Sequence, residues 1–325
     1  MTTTTSTTRF PLLTAAPARR PRTAGRAGLC GVALAGLLIL LAGCGDDDTT
    51  SAGDGGPSLA SRASDAQTLD ITVPGGPDGE YTLDADLDGL TAGPVTVTLT
   101  NHGTLEHQAM LLRLRDGQDA GSFAAAAAAD PSGAEALSLV EGFGGPNGVA
   151  PGETQSTTQV LEDGDYVLIC VIPDETGVPH AAHGMLVPFS VAAAEDGGPP
   201  SPLVEDSADA DISLVDFGFS IDATFAPGDT AVVANNGDQG HELAIYQLGN
   251  DVTFEEAEAA LRDPTSGPPP LQPAGGTGLL APRTAAEITL PDEPGEYVIV
   301  CFVPDVTGDR QPHSAHGMVA ELTLG

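Results

Sequence analysis

Seven histidines and four methionines occur in 325 residues, yet four of the histidines and two of the methionines fall in two heptapeptides, PHAAHGM at 179–185 and PHSAHGM at 312–318. A single cysteine precedes each, giving Cys170-x9-His180-x4-Met185 and Cys301-x11-His313-x4-Met318, and a distant histidine, His107 or His241, stands further upstream. One thiolate, two imidazoles and one thioether make the donor set of an electron-transfer copper site, a trigonal His₂Cys plane with a long, weak axial Met. Soft sulfur favours Cu(I), and imidazole suits both oxidation states. A rigid frame that imposes one compromise geometry lets an electron move with little rearrangement.

The elements that must position these residues are written twice. NHGTLEH (101–107) matches NNGDQGH (235–241), and GDYVLICVIPDETGVPHAAHGM (164–185) matches GEYVIVCFVPDVTGDRQPHSAHGM (295–318). An offset of 131 to 134 residues is too long for a solenoid and fits duplication of a whole domain. Strand signals dominate each copy: Val95, Val97 and Leu99 alternate with threonine, HQAMLLRL and HELAIYQL follow the first histidine, and YVLICVI and YVIVCFV suit a buried strand. One helix is expected per copy, opened in the second by a capping box of Thr253 with Glu256 and closed at Asp263-Pro264, as Asp130-Pro131 closes its counterpart. The expected fold is all-β, two tandem sandwiches with one short helical insertion each.

Here the sequence resembles the cupredoxin family, the type 1 or blue copper proteins, over both copies. The resemblance implies Greek-key β-sandwiches, each binding one copper through an N-x-G-x-x-x-H strand and a Cys…His…Met loop. Carried over by position, the metal ligands are His107, Cys170, His180 and Met185 in the first copy and His241, Cys301, His313 and Met318 in the second, two coppers in all. His183 and His316 are left as alternative ligands, surface electron relays or exposed polar residues; the His-x4-Met spacing of the family favours the last two readings. The Cys–His spacings of nine and eleven exceed the two to four of small cupredoxins and come closer to the electron-transfer site of copper nitrite reductases. Ile169 and Val300, not histidine, precede the cysteines, and no second catalytic copper motif is visible, so the expectation is a carrier or binder and not an enzyme. His102, which has Asn236 as its counterpart, reads as a solvated loop residue.

Other readings of the same residues are weaker. A disulfide between Cys170 and Cys301 would have to join equivalent buried strand ends. An immunoglobulin-like sandwich, suggested by DGDY…C, calls for a second cysteine per copy and a buried Trp, and the chain has no Trp. A cupredoxin fold that has lost copper through its long Cys–His loop stands as a third reading.

The N-terminus carries Arg9, Arg19, Arg20, Arg22 and Arg26 before an apolar run ending in LLAGCG. That run is shorter than the roughly 20 residues of a membrane span and is flanked like an export signal. LAGC (41–44) resembles the bacterial lipobox, which makes Cys44 the lipidated mature terminus. The expected organisation is a signal peptide at 1–43, an acidic flexible tether at 44–66, cupredoxin-like domains at 67–192 and 212–325, and a Pro/Gly/acidic linker at 193–211. Net charge is −35, and beyond residue 43 six arginines face 46 acids. Nucleic acid is thereby disfavoured as a partner, and a basic redox protein is compatible. The whole predicts a lipid-anchored protein at the extracytoplasmic face of a bacterial membrane that carries electrons through two copper sites. Copper capture without redox turnover, or a metal-free interaction module, are the alternatives.

Overall fold

The protein, analysed as a computed structural model, is described for residues 66–195, 200, 202–203, 210–263 and 271–325. The signal segment, Cys44, the tether up to residue 65 and much of the 193–211 linker lie outside the described residues. Among the described residues no helix is long and apolar enough to cross a membrane.

Alternation builds the first sandwich. Gln67–Val73 (β1) and Gly93–Asn101 (β3) turn Leu69, Ile71 and Val73 and Val95, Val97 and Leu99 to one face, all buried. The two strands run parallel with Leu69 opposite Val97 and Ile71 opposite Leu99, so the apolar residues form one continuous surface. Asp84–Ala85 (β2) edges β1, and Thr154–Leu161 (β6) pairs with β3 on its other side. The facing sheet comprises Met110–Leu114 (β4), Val140–Gly142 (β5), Gly164–Ile169 (β7) and Leu186–Val191 (β8), in the order β5-β4-β7-β8.

Strand β7 is buried on both sides, which is why its sequence lacks polar alternation. Tyr166, Leu168 and Cys170 point into the core against β1 and β3, while Val167 and Ile169 pack on the outer side with Phe123 and Ala136. Those two belong to Ala120–Ala129 (α1) and Ala134–Leu137 (α2). The single helix expected in this copy is thus two short ones. Asp119 and Ser122 form a capping box at the start of α1, and its end at Asp130 precedes Pro131, which cannot continue the helix.

The second half repeats the plan. Ile212–Val215 (β9), Gly218–Ile221 (β10), Thr230–Asn235 (β11) and Ala285–Thr289 (β14) make one sheet; His241–Leu248 (β12), Leu271–Leu280 (β13), Gly295–Val300 (β15) and Val319–Leu324 (β16) make the other. Phe254–Arg262 (α3) starts with the expected Thr253–Glu256 capping box and buries Leu261 with Val298, Val300 and Val319 on the outer face of β15. Each sandwich also has a tyrosine corner: the Tyr166 hydroxyl donates to the Glu162 carbonyl and the Tyr297 hydroxyl to the Glu293 carbonyl.

The halves share an edge. β6 and β14 pair antiparallel, with Thr157 opposite Ile288, Thr158 opposite Glu287 and Gln159 opposite Ala286, fusing two four-stranded sheets into one of eight strands. A second seam joins Phe143 to Leu280 and Pro146 to Thr277. Aligned on APGE and APRT, Pro146 and Thr277 occupy the same place in the two copies, so the halves meet about a pseudo-two-fold axis.

Candidate metal centres

Four segments deliver each pocket, and local chemistry explains the placement of every one. Asn101 is fully buried at the end of β3; its amide donates to the carbonyls of Leu105 and Val149 and its oxygen accepts from the Gly103 N–H. Asn235 does the same with Gln239, Leu280 and Gly237. The asparagine of N-x-G-x-x-x-H is therefore a staple for the loop that presents His107 or His241. His107 is then pinned by reciprocal backbone bonds with Val149, and His241 is paired with Leu280.

Cys170 and Cys301 follow the last residues of β7 and β15 and are free, buried thiols, so neither disulfide nor solvent engages them. The Cys170 N–H donates to the Met185 carbonyl, the Ala181 N–H to the Cys170 carbonyl, and the Met185 N–H to the His180 carbonyl. Cys301, Ser314, His313 and Met318 repeat the pattern. His180 and His313 each begin a single 3₁₀ turn, His180–His183 and His313–His316, that ends in glycine of positive φ, Gly184 and Gly317.

The long Cys–His spacings do not separate the donors. Pro173 pairs with Pro179 and Pro304 with Pro312, so that five residues in one copy and seven in the other are pinched outward while the cysteine and histidine stay at the base. Asp174 closes the first excursion by accepting from the N–H groups of Thr176 and Val178. The Asp305 carboxylate likewise accepts from the Thr307 N–H and hydroxyl.

At that base the donor atoms of His107, Cys170 and His180 all lie within 4.8 Å of one another, as do those of His241, Cys301 and His313. Nδ1 of His107 stands 3.2 Å from Nδ1 of His180, which is 3.5 Å from the Cys170 sulfur. In the second copy the distances are 3.0 Å and 3.5 Å. Met185 and Met318 are fully buried in the same clusters as Cys170 and Cys301. His183 and His316 stand outside: their Nε2 atoms face Asp174 at 2.9 Å and Asp309 at 3.0 Å, at the surface. His102 is exposed.

Two functional residues carry no signal in the copper motif. His107 Nε2 lies 3.1 Å from Glu80, and His241 Nε2 lies 2.9 Å from Asp216. Glu80 precedes Tyr81 and Asp216 precedes Phe217, and each aromatic ring packs on the pair of histidines in its own 3₁₀ turn. The repeated acid–aromatic pair, EY and DF, could have been found from the duplication. Gly103 and Gly237 make the approach feasible, because a Cβ there would lie 2.6 Å from the Glu80 carboxylate or 2.4 Å from that of Asp216.

Charge and proton placement follow. Burial alone would raise Glu80, but the N–H groups of Thr104 and Leu105 and the His107 ring outweigh it and hold the carboxyl below its usual range. Asp216 is lowered against its own burial by His241 and the N–H groups of Gln239 and Asp238. An ionised carboxylate accepts only, so Nε2 of His107 and His241 carries the proton and Nδ1 presents its lone pair inward. Burial, with the neighbouring imidazole, drops His180 and His313 to about 4. Both are neutral near pH 7. Burial pushes Cys170 up to about 12 and raises Cys301 as well, so both thiols keep their protons until a cation displaces them.

The donors fit copper. Two imidazole nitrogens face each other with one lone pair assigned by a carboxylate, a thiol lies beside them, and a methionine is buried in the same cluster; nitrogen and sulfur donors suit a soft cation, whereas hard-cation sites need oxygen.

No family model matches this chain, and no curated protein matches it. Solved structures similar to it include auracyanin from Roseiflexus castenholzii, at 24% identity over 35% of this chain and 94% of that one, with a TM-score of 0.24. Copper nitrite reductase from Nitrosomonas europaea is 16% identical over 80% of this chain and 94% of its own, with a TM-score of 0.24. A blue copper oxidase from Nitrosomonas europaea is 15% identical over 80% and 86%, with a TM-score of 0.21. The last two are enzymes by name, which corrects the expectation of a chain that is not an enzyme: one fold serves carriers and catalysts, and the lack of a second copper motif in the sequence does not separate them. With paired sandwiches, His/Cys/His pockets and buried methionines in both copies, this chain has the cupredoxin-like fold twice over and two groups of residues able to bind copper.

Proposed function

We propose that the protein is an exported, lipid-anchored copper protein with two mononuclear type 1-like centres that transfers electrons at the extracytoplasmic face of a bacterial membrane. The observation that carries this reading is the convergence of His107, Cys170 and His180, and of His241, Cys301 and His313, on two buried points with a methionine in each cluster. Copper bound there would supply a one-electron Cu(I)/Cu(II) couple.

The residues' own tasks follow from the geometry. Glu80 and Asp216 hold the inward-facing lone pairs of His107 and His241 in place, and the staples at Asn101 and Asn235 fix the loops that carry them. The Gln108 and Glu242 N–H groups point at the cysteine sulfurs at 3.5 and 3.4 Å, where they stabilise thiolate charge. Complete burial of the sulfurs excludes water from the donors, and strand frames on both sides resist rearrangement when the charge changes. The export and anchoring parts rest on the arginine-flanked apolar run and the LAGC segment.

Titration of the mature chain with Cu(II) tests the reading. An intense visible thiolate-to-copper band saturating near two equivalents, halved in Cys170→Ser or Cys301→Ser and abolished in the double variant, is expected. No band and no retained copper would overturn it; retained Cu(I) with no reversible potential would shift it to copper capture. Labelling of Cys44 by lipid in cells, lost in Cys44→Ser, checks the anchor.

A further inference from the structure

Beyond the pockets, the buried polar groups of the seam between the two halves form a connected chain. The residue after each first histidine is Gln108 in one copy and Glu242 in the other, and both are buried. The Gln108 backbone N–H donates to the Cys170 sulfur, and its side-chain oxygen accepts from the Val171 N–H at 2.9 Å. The Glu242 N–H donates to the Cys301 sulfur, and one carboxylate oxygen accepts from the Phe302 N–H at 2.9 Å. Between them sits Asn147. Its oxygen accepts from Gln108 Nε2 at 2.8 Å, and its amide donates to the other Glu242 oxygen at 3.3 Å.

The bridge therefore runs without interruption from one cysteine sulfur to the other: Cys170, Gln108, Asn147, Glu242, Cys301. Polarity dictates the residue in the middle. The Val171 N–H fixes the Gln108 amide so that its nitrogen faces the seam as a donor, while both Glu242 oxygens accept, one from the Phe302 N–H and the other from the seam side. Joining donor to acceptor needs a side chain that accepts at one end and donates at the other. An asparagine does; an apolar side chain of the same size does not. On the APGE/APRT alignment the counterpart of Asn147 is Gly278, where a Cβ would stand 3.0 Å from the Met110 side chain and 3.1 Å from the Gly144 carbonyl. The seam thus holds one linker beside its pseudo-two-fold axis, contributed by one copy and shared by both.

Packing does not call for this cluster. Apolar side chains of similar volume would fill the seam without the desolvation that a buried carboxylate and two amides incur. The geometry points to Gln108, Asn147 and Glu242 as the electron bridge that couples the two centres within one chain, an inference that rests on the copper reading of both pockets. Tunnelling falls off less steeply through covalent and hydrogen bonds than across gaps, and this chain of atoms ends on the sulfur donor of each pocket. One electron leaves the reduced centre, which is oxidised, and arrives at the oxidised centre, which is reduced; no bond is made or broken and no proton moves.

The test uses the full copper-loaded chain with Met185→Leu, which separates the two potentials through the axial position. After one-electron reduction by a radiolytic pulse, a first-order re-equilibration independent of protein concentration is expected. It should slow by an order of magnitude or more in Asn147→Gly, which installs the counterpart residue, and in Asn147→Leu, which keeps a similar volume but can make neither the bond to Gln108 nor that to Glu242. Copper stoichiometry and the visible bands should be unaltered in both. A second readout needs no turnover: in Cys301→Ser, loading the first pocket with diamagnetic Cu(I) should shift the Phe302 amide resonance, and the added Asn147→Leu should abolish that shift. Unchanged rates in variants that retain both bands overturn the bridge alone, as does a re-equilibration that scales with protein concentration. Absence of copper binding in the parent overturns the bridge together with the reading it rests on. If Asn147→Gly fails to fold, Asn147→Leu decides the outcome.

Discussion

Glu80 and His107 meet through Nε2 at 3.1 Å, 27 residues apart in the chain, and Asp216 meets His241 the same way at 2.9 Å. The carboxylate decides which ring nitrogen is free to bind a metal. Replacing Glu80 or Asp216 by Ala is expected to weaken copper binding at that pocket by about 10- to 100-fold, the usual range for partners of this kind. Competition with a chelator in single-pocket chains measures it. Equal affinity in parent and variant would show that the tautomer is set elsewhere.

Asn101 and Asn235 each make three hydrogen bonds at the loop that carries the first histidine. Asn101→Ala or Asn235→Ala removes these bonds from a buried loop, so a loss of about 1–3 kcal/mol in unfolding free energy is expected. Denaturant titration of the metal-free protein reads it, and a change within the error of the fit would contradict the staple.

His183 and His316 sit at the surface against Asp174 and Asp309, away from the buried donor groups. His183→Ala and His316→Ala should leave copper stoichiometry and the visible band as in the parent, whereas His180→Ala and His313→Ala should remove the band of their own pocket. A band lost in His183→Ala would mean that the wrong member of the pair has been assigned.

Acid acts on the metal-free protein through the buried imidazoles. His180 and His313 titrate near 4 in the folded chain because of burial and a neighbouring imidazole, against about 6.5 when unfolded. Between those values the unfolded chain binds more protons, so their contribution is fully present above about pH 6.5 and is lost as the pH falls toward 4. Glu106 and Glu242, raised to about 7 by burial, act in the opposite direction. The histidine effect is therefore isolated as a difference: the stability of the parent relative to a His180→Asn, His313→Asn chain should decline as the pH is lowered through this window. A difference independent of pH would contradict it.

Much of this protein is legible in one dimension. Period-two alternation at Leu69, Ile71 and Val73 marks a strand because each residue flips the side chain across the sheet, and the duplicated Cys…His…Met spacing marks a pocket because three donors on one strand-turn-strand corner are neighbours by connectivity. The Thr253–Glu256 cap is equally local. Tertiary structure alone decided what depends on distant chain segments. Spacing could not say whether nine or eleven residues would keep cysteine and histidine apart; the Pro173–Pro179 and Pro304–Pro312 pairings settle it by turning the surplus outward. Nothing near His107 announces Glu80, and nothing near Cys170 announces Asn147, because hydrogen bonds act over about 3 Å of space whatever the separation in sequence. Local pattern and spacing were enough to mark the candidate donors and the strands that bear them, because both depend on near neighbours in the chain. The fold determined which protons those donors carry, and that the two pockets lie at the ends of one buried bridge.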